Sequence, residues 1–244
     1  MKNYQIEFEK RVSFIKKILK DSHSDGIVYG NSGGKDSALV GILCKAACEN
    51  TVGLIMPCMS KRNFEQDMND GNTVAKQFKI ETRTIDLTDA KKTMMSLLKG
   101  ITNLGDMAVS NISPRLRMIS LYAVAASENR LVAGTGNRSE AYMGYFTKWG
   151  DGAHDFNPIA DLTVREIYEF LGYLNAPSVI ITKAPSAGLF EGQTDESEMG
   201  ITYAEIDSFL LDGKVTAENK ALIDRFHTRS EHKRKLPVAY SNEE

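Results

Sequence analysis

Apolar residues recur at helical spacing near the start of the chain. Tyr4, Phe8, Val12, Ile15 and Leu19 predict an amphipathic helix over 4–20. A short apolar run, Ile27–Tyr29, reads as a first strand, and Ser37–Glu49 as a second helix. Val52–Met56 is a second strand, stopped by Pro57. Phe64–Phe78 returns to helical spacing, Thr82–Leu87 is a third strand, and Thr88–Leu98 is helical again. Ser113-Pro114 opens a helix over Arg115–Ala126, with proline in a first-turn position. Arg130–Ala133 is a fourth strand that runs into Gly134-Thr135-Gly136. Strands alternating with helices imply right-handed crossovers and a mostly parallel sheet covered on both faces. After residue 144 the pattern loosens, and 145–157 and 183–200 read as long polar loops. No repeat, low-complexity tract or linker divides the 244 residues, so a single domain over 1–244 is expected.

Composition narrows the function classes. Hydrophobic content of 42% and charged content of 25% are ordinary for a globular chain. A net charge of −2 makes no global case for nucleic acid. No apolar run approaches the roughly 20 residues of a membrane span. The charged N-terminus lacks an apolar signal core, so a cytoplasmic setting is expected. Cys44, Cys48 and Cys58 have no second Cys or His pair at zinc spacing and read as reduced thiols.

Chemistry concentrates after the first strand, in Gly30-Asn31-Ser32-Gly33-Gly34-Lys35-Asp36-Ser37. Two familiar phosphate loops do not fit. The Walker form needs Lys-Ser or Lys-Thr after its last glycine, and Asp36 follows Lys35 here. The dinucleotide form fails at Ser139, its sixth place counted from Gly134. Glycines after a strand let backbone N–H groups approach an anion, and a helix N-terminus adds about half a positive charge. Asp36 would repel a phosphate unless Mg²⁺ bridges the two. The bland alternative is a glycine turn with an Asp helix cap. Both glycine turns fall at carboxyl ends of strands, the edge where open parallel sheets bind ligands.

Ser32–Ser37 resembles the pyrophosphate loop of the ATP pyrophosphatases, which cleave ATP between the α and β phosphates. Four further segments are similar to those of ammonia-dependent NAD synthetases: "SPRLRM" (113–118), "GTGNRSEAYMGYFTKWGDG" (134–152), "KAPSAGLFEGQTDESEMGITYAEID" (183–207) and "EHKRKLP" (231–237). The resemblance implies an α/β fold, a doubly wound, mostly parallel five-stranded sheet of the Rossmann-like, adenine nucleotide alpha hydrolase type. It implies a C–N ligase that joins ammonia to deamido-NAD at the expense of ATP through an acyl-adenylate, as the last step of NAD biosynthesis. It places ATP on Gly30 to Ser37, Thr135 and Ser186, with Asp36 in a catalytic role, and Mg²⁺ on Asp36 and Glu140; Lys35 is a further catalytic candidate of this sequence, since many family loops carry another residue there. It places deamido-NAD on Arg115, Lys148, Asp155, His232 and Lys233, near the interface of a homodimer. Arg117 is the rival of Arg115 within the same segment. The family's ATP-contacting lysine aligns with Val164; either Arg165, one residue on, reaches ATP in its place, or this contact is lost. Residues 186–200 are expected to form a lid over the hydrolysable adenylate. Only residues 1–26 precede the first strand, too few for the glutaminase domain that some relatives carry, so free ammonia is the expected donor.

Two rival readings remain. A tRNA-thiolating ATP pyrophosphatase would need a sulfur relay that the three cysteines do not offer, although "EHKRK" alone could be read as a basic, RNA-binding tail. A nucleotide-binding regulatory protein would not need Asp36, Glu140 and a second-substrate set together.

Overall fold

The computed structural model of the chain describes residues 2–59, 63–183 and 195–240, with backbone alone for 63 and 64. The elements run α1 Tyr4–Ser22, β1 Gly26–Gly30, α2 Lys35–Ala47, β2 Thr51–Ile55, α3 Met68–Phe78, β3 Glu81–Thr84, α4 Thr88–Lys99, α5 Asp106–Ser127 and β4 Arg130–Ala133. They continue as α6 Arg138–Met143, α7 Val164–Tyr173, α8 Ser178–Ile181, α9 Asp195–Met199, α10 Tyr203–Asp212 and α11 Ala217–Arg229. A π turn, Asn63–Asp67, leads into α3.

The strands pair in parallel in the order β3-β2-β1-β4. Among the described residues the sheet therefore has four strands, not the expected five. What stands in the fifth place is one bridge, Ala133 to Phe156, with Asp155 N–H on Val132 O (2.9 Å) and Gly134 N–H on Phe156 O (2.8 Å). Pro158 has no N–H to continue a ladder, and Asn157 Oδ1 turns the chain by accepting from Ile159 N–H at 3.0 Å.

Side chains alternate across the sheet. Ile27 and Tyr29 join the cluster under α1, α2 and α7, whereas Val28, Val52, Leu54 and Val132 pack with Ala125 of α5 on the other face. Both faces are covered, as the near-continuous apolar strands require. A third cluster, Met143, Val164, Met199, Ile201, Tyr203, Ile206 and Ile223, holds α6, α7, α9, α10 and α11 together beside the carboxyl edge of the sheet.

Helix α5 begins at Asp106, well before the expected start at Ser113-Pro114. Pro114 thus lies inside a helix, where it leaves the Ser110 carbonyl without its i+4 donor. Its ring is buried against the loop that carries Lys148: a Cβ on Gly150 would lie 2.9 Å from Pro114 Cβ. Packing decides the placement of this proline, and local propensity does not.

Because β1 lies between β2 and β4, the chain leaves it in one direction and returns on its other side. The loops after β1 and β4 diverge there and open a crevice at the carboxyl edge.

Candidate active site

The glycine loop is held in shape by its own side chains. Asn31 is buried, donates from Nδ2 to Gly71 O (3.1 Å), and accepts the Gly33 N–H on Oδ1 (3.4 Å). Gly33 has φ +70°, and a Cβ there would fall 2.1 Å from Asp67 O, so no other residue fits this turn. Ser32 Oγ accepts from Gly34 N–H (3.3 Å) and donates to Ser37 Oγ (3.1 Å). Gly34 precedes α2 and has no side-chain cap, which leaves first-turn N–H groups of α2 for a bound anion.

The loop after β4 meets this one. Asn137 caps α6 in a reciprocal box: its side chain accepts Glu140 N–H (2.9 Å), and Glu140 Oε2 accepts Asn137 N–H (3.1 Å). Asn137 Nδ2 also donates to Asp36 Oδ1 at 3.0 Å and ties the two turns. The Lys35 ammonium lies 2.7 Å from Asp36 Oδ2 and 4.0 Å from Glu140 Oε1. Burial, and then the Asp36 charge, push the Glu140 carboxyl well above the usual carboxylate range, only partly offset by Lys35. Burial works against the Lys35 charge, but Asp36 and Glu140 outweigh it and raise the ammonium above its ordinary value. Two carboxylates thus share one buried ammonium, and their oxygens are hard donors.

These groups open into a cavity of about 910 Å³. Its wall carries both signs of charge, with Asp67, Asp151, Asp195 and Glu198 among the lining residues. Lys183, Arg117, Lys233, Arg225 and Arg229 all line it. Lys183 Nζ lies 2.6 Å from Asp70, 2.8 Å from Asp67 and 3.2 Å from Gly33 O. Arg117 Nε donates to Met56 O at 3.1 Å, and burial lowers its pKa. Lys233 Nζ donates to Gly144 O and Phe146 O, each at 2.8 Å, and burial lowers its pKa.

The sequence-derived set divides on this wall. Gly30, Asn31, Ser32, Gly34, Lys35, Asp36 and Ser37 line the cavity, and so do Thr135, Glu140 and Lys233. Gly33 stands behind it. Arg165 is brought elsewhere: its side chain is exposed and its N–H caps onto Asp207 Oδ2 at 2.7 Å. Val164 is buried in the third apolar cluster, so neither position supplies the wall with the aligned lysine's charge. Arg115, Lys148, Asp155 and His232 are not on this wall either. Arg115 is exposed and donates to Lys148 O (3.3 Å), and the Lys148 ammonium sits 5.6 Å from the Trp149 ring centroid. Asp155 accepts the Val132 N–H on Oδ2 (2.7 Å) and faces Tyr122 OH (3.3 Å), a cap on the edge of β4. Ser186 and most of the expected lid, residues 184–194, fall outside the described residues.

Sequence reasoning missed Lys183, Asp67, Asp70 and Asn137, and read Arg225 and Arg229 only as part of a broadly cationic C-terminal end. Asn137 was readable: Asn-x-x-Glu at 137–140 is a capping-box spacing directly after a strand and turn. Lys183 heads the segment singled out for Ser186, but nothing local marks its two acidic partners more than 100 residues away.

Comparison with known proteins agrees with this architecture. The NAD synthase family profile matches residues 7–237. The NH(3)-dependent NAD(+) synthetase of Carboxydothermus hydrogenoformans is 44% identical over 238 residues, covering 96% of this chain and 97% of that one. The NMN synthetase structure from Francisella tularensis superposes with a TM-score of 0.92 at 40% identity, covering 98% and 99% of the two chains. The NH3-dependent NAD synthetase from Campylobacter jejuni, in complex with nitrate, gives 0.79 at 32% identity, with 99% and 100% covered. The chain belongs to the NAD synthase family.

Proposed function

We propose that this chain amidates deamido-NAD with ammonia to give NAD, consuming ATP and releasing AMP and pyrophosphate. The observation that carries the reading is the meeting of Lys35, Asp36 and Glu140 at the uncapped start of α2, beside a cavity lined by Arg117, Lys183, Arg225, Arg229 and Lys233. That arrangement suits the β,γ end of ATP and leaves the α-phosphorus toward the cavity. The substrate carboxylate attacks the α-phosphorus, pyrophosphate leaves, and ammonia then displaces AMP from the acyl-adenylate. Asp36 and Glu140 would hold Mg²⁺, which when bound supplies positive charge against the departing pyrophosphate. The loop N–H groups orient the triphosphate, and Lys35 keeps a proton and a positive charge beside it. No protein nucleophile is required, because phosphoryl transfer of this kind rests on positioning and charge.

Arg115, Lys148, Asp155, His232 and Lys233 are the residues we assign to deamido-NAD. Four of the five lie off the cavity wall of the single chain, which fits a second substrate completed by another copy in a homodimer. Arg165, exposed and off the wall, is a weaker candidate for ATP than its place beside Val164 implied. No helix among the described residues is long and apolar enough to cross a membrane, and a cytoplasmic setting fits this biosynthetic role.

The test is direct. Incubation with ATP, Mg²⁺, ammonium and deamido-NAD is expected to yield NAD, AMP and pyrophosphate, and glutamine free of ammonia is expected not to replace ammonium. ADP and phosphate as products would exclude the mechanism. The close superposition of the Francisella protein supports one second reading: amidation of the mononucleotide, nicotinic acid mononucleotide, to NMN. Parallel kcat/KM values for the two acids decide between them.

A further inference from the structure

Lys183 has a role that the ATP-binding loop alone does not explain. Its ammonium is nearly buried, with a side-chain exposure of 10%, and it joins three parts of the chain. Asp67 ends the π turn, Asp70 lies in the first turn of α3, and Gly33 is the left-handed point of the glycine loop. Residues on both sides of Gly33, Ser32 and Gly34, form the cavity wall, whereas Gly33 does not. Its N–H is turned back onto Asn31 Oδ1 and its carbonyl onto Lys183 Nζ. A carbonyl oxygen aimed into the same space as a phosphate would repel it. A charge-assisted hydrogen bond to a fixed ammonium prevents the Gly33 peptide from rotating that way.

We propose that Lys183 is a positioning residue of the phosphate loop: held by Asp67 and Asp70, it keeps the Gly33 carbonyl out of the cavity so that the first-turn N–H groups of α2 face the pyrophosphate. The two carboxylates compensate the buried ammonium, and they also prevent it from leaving Gly33 to pair with the phosphates itself. The inference rests on the reading of this site as a pyrophosphate-releasing one.

Titration calorimetry with inorganic pyrophosphate and Mg²⁺ tests it without turnover. Lys183→Met is expected to bind pyrophosphate roughly 10-fold or more weakly than the native chain, the value of a lost charge-assisted hydrogen bond. It should also raise the KM for ATP and leave the KM for deamido-NAD in place. Because that variant strands two buried carboxylates, the Lys183→Met, Asp70→Asn double variant is measured beside it, with the same expectation. Asp70→Asn alone leaves Asp67 to hold the ammonium on Gly33, and should weaken pyrophosphate binding far less. Native-like pyrophosphate affinity in the methionine variants would overturn the inference. Equal losses for pyrophosphate and deamido-NAD would also overturn it, as collapse of the whole site. A native chain that binds no pyrophosphate and forms no NAD would remove the reading of the site, and this inference with it.

Discussion

Asp36 carries the sharpest test at the level of single residues. Its two oxygens are already divided, Oδ1 accepting from Asn137 and Oδ2 from Lys35. Asp36→Asn keeps the shape, so the tie between the two turns survives, but the negative charge that a divalent ion would need is gone. Turnover should fall by about 100-fold or more, the usual loss when a preorganised electrostatic group is removed. The thermal midpoint, measured on the same preparation, should move little. Near-native NAD formation would show that this charge is not used. Asp36 and Glu140 were legible because each stands at a fixed offset from a strand-ending glycine turn. Arg165 lies off the cavity wall for a physical reason. At the start of α7, position 164 faces an apolar cluster and position 165 faces solvent, so neither offers a cation to the cavity. Helical phase settles such a question, and a neighbour one residue on points about 100° away.

Among elements, the junction of α6 and α11 depends on one glycine. Gly144 closes α6 at φ +67°, and a Cβ there would lie 2.0 Å from Ser230 Cβ. Ser230 follows the last residue of α11, and the same junction receives Lys233 Nζ on the Gly144 carbonyl. Gly144→Ala should therefore destabilise the chain by about 3 kcal/mol, the sum of a left-handed non-glycine residue and a forced overlap. Urea unfolding measures this as a lower midpoint at unchanged slope. The alternation of strands and helices through β4 could be read because β1 and β2 are apolar runs and β3, though polar, is rich in β-branched residues. The start of α5 could not, since proline usually marks a helix beginning and here lies buried within one. Nor could the missing fifth strand: Asp155 and Phe156 pair with β4 for a single step, and the residues that stop it, Asn157 and Pro158, do so through turn chemistry that hydrophobic periodicity does not register.

For the whole molecule, the open question is what covers α5. Arg115 and Ile119 are four residues apart and so share one face of that helix. Ile119 is 56% exposed, and Arg115 is exposed one turn before it. An apolar residue on such a face costs free energy in water unless something covers it, and the proposed second copy would do so. It would also bring Arg115, and Lys148 beside it, from the outside of one chain into a closed interface where a dinucleotide can be held. Sequence periodicity could not separate this face from a core face, because both read as an apolar stripe. Ile119→Glu places a charge on this face without touching the glycine loop, Asp36 or Glu140. Sedimentation should then show the native chain as a dimer and the variant shifted toward monomer. In the same preparation the KM for deamido-NAD should rise, whereas pyrophosphate binding, which belongs to the loop of a single chain, should persist. A native chain that sediments as a monomer and still makes NAD would place the second substrate within one subunit, and Arg115 would then have to reach it across the surface of α5 alone.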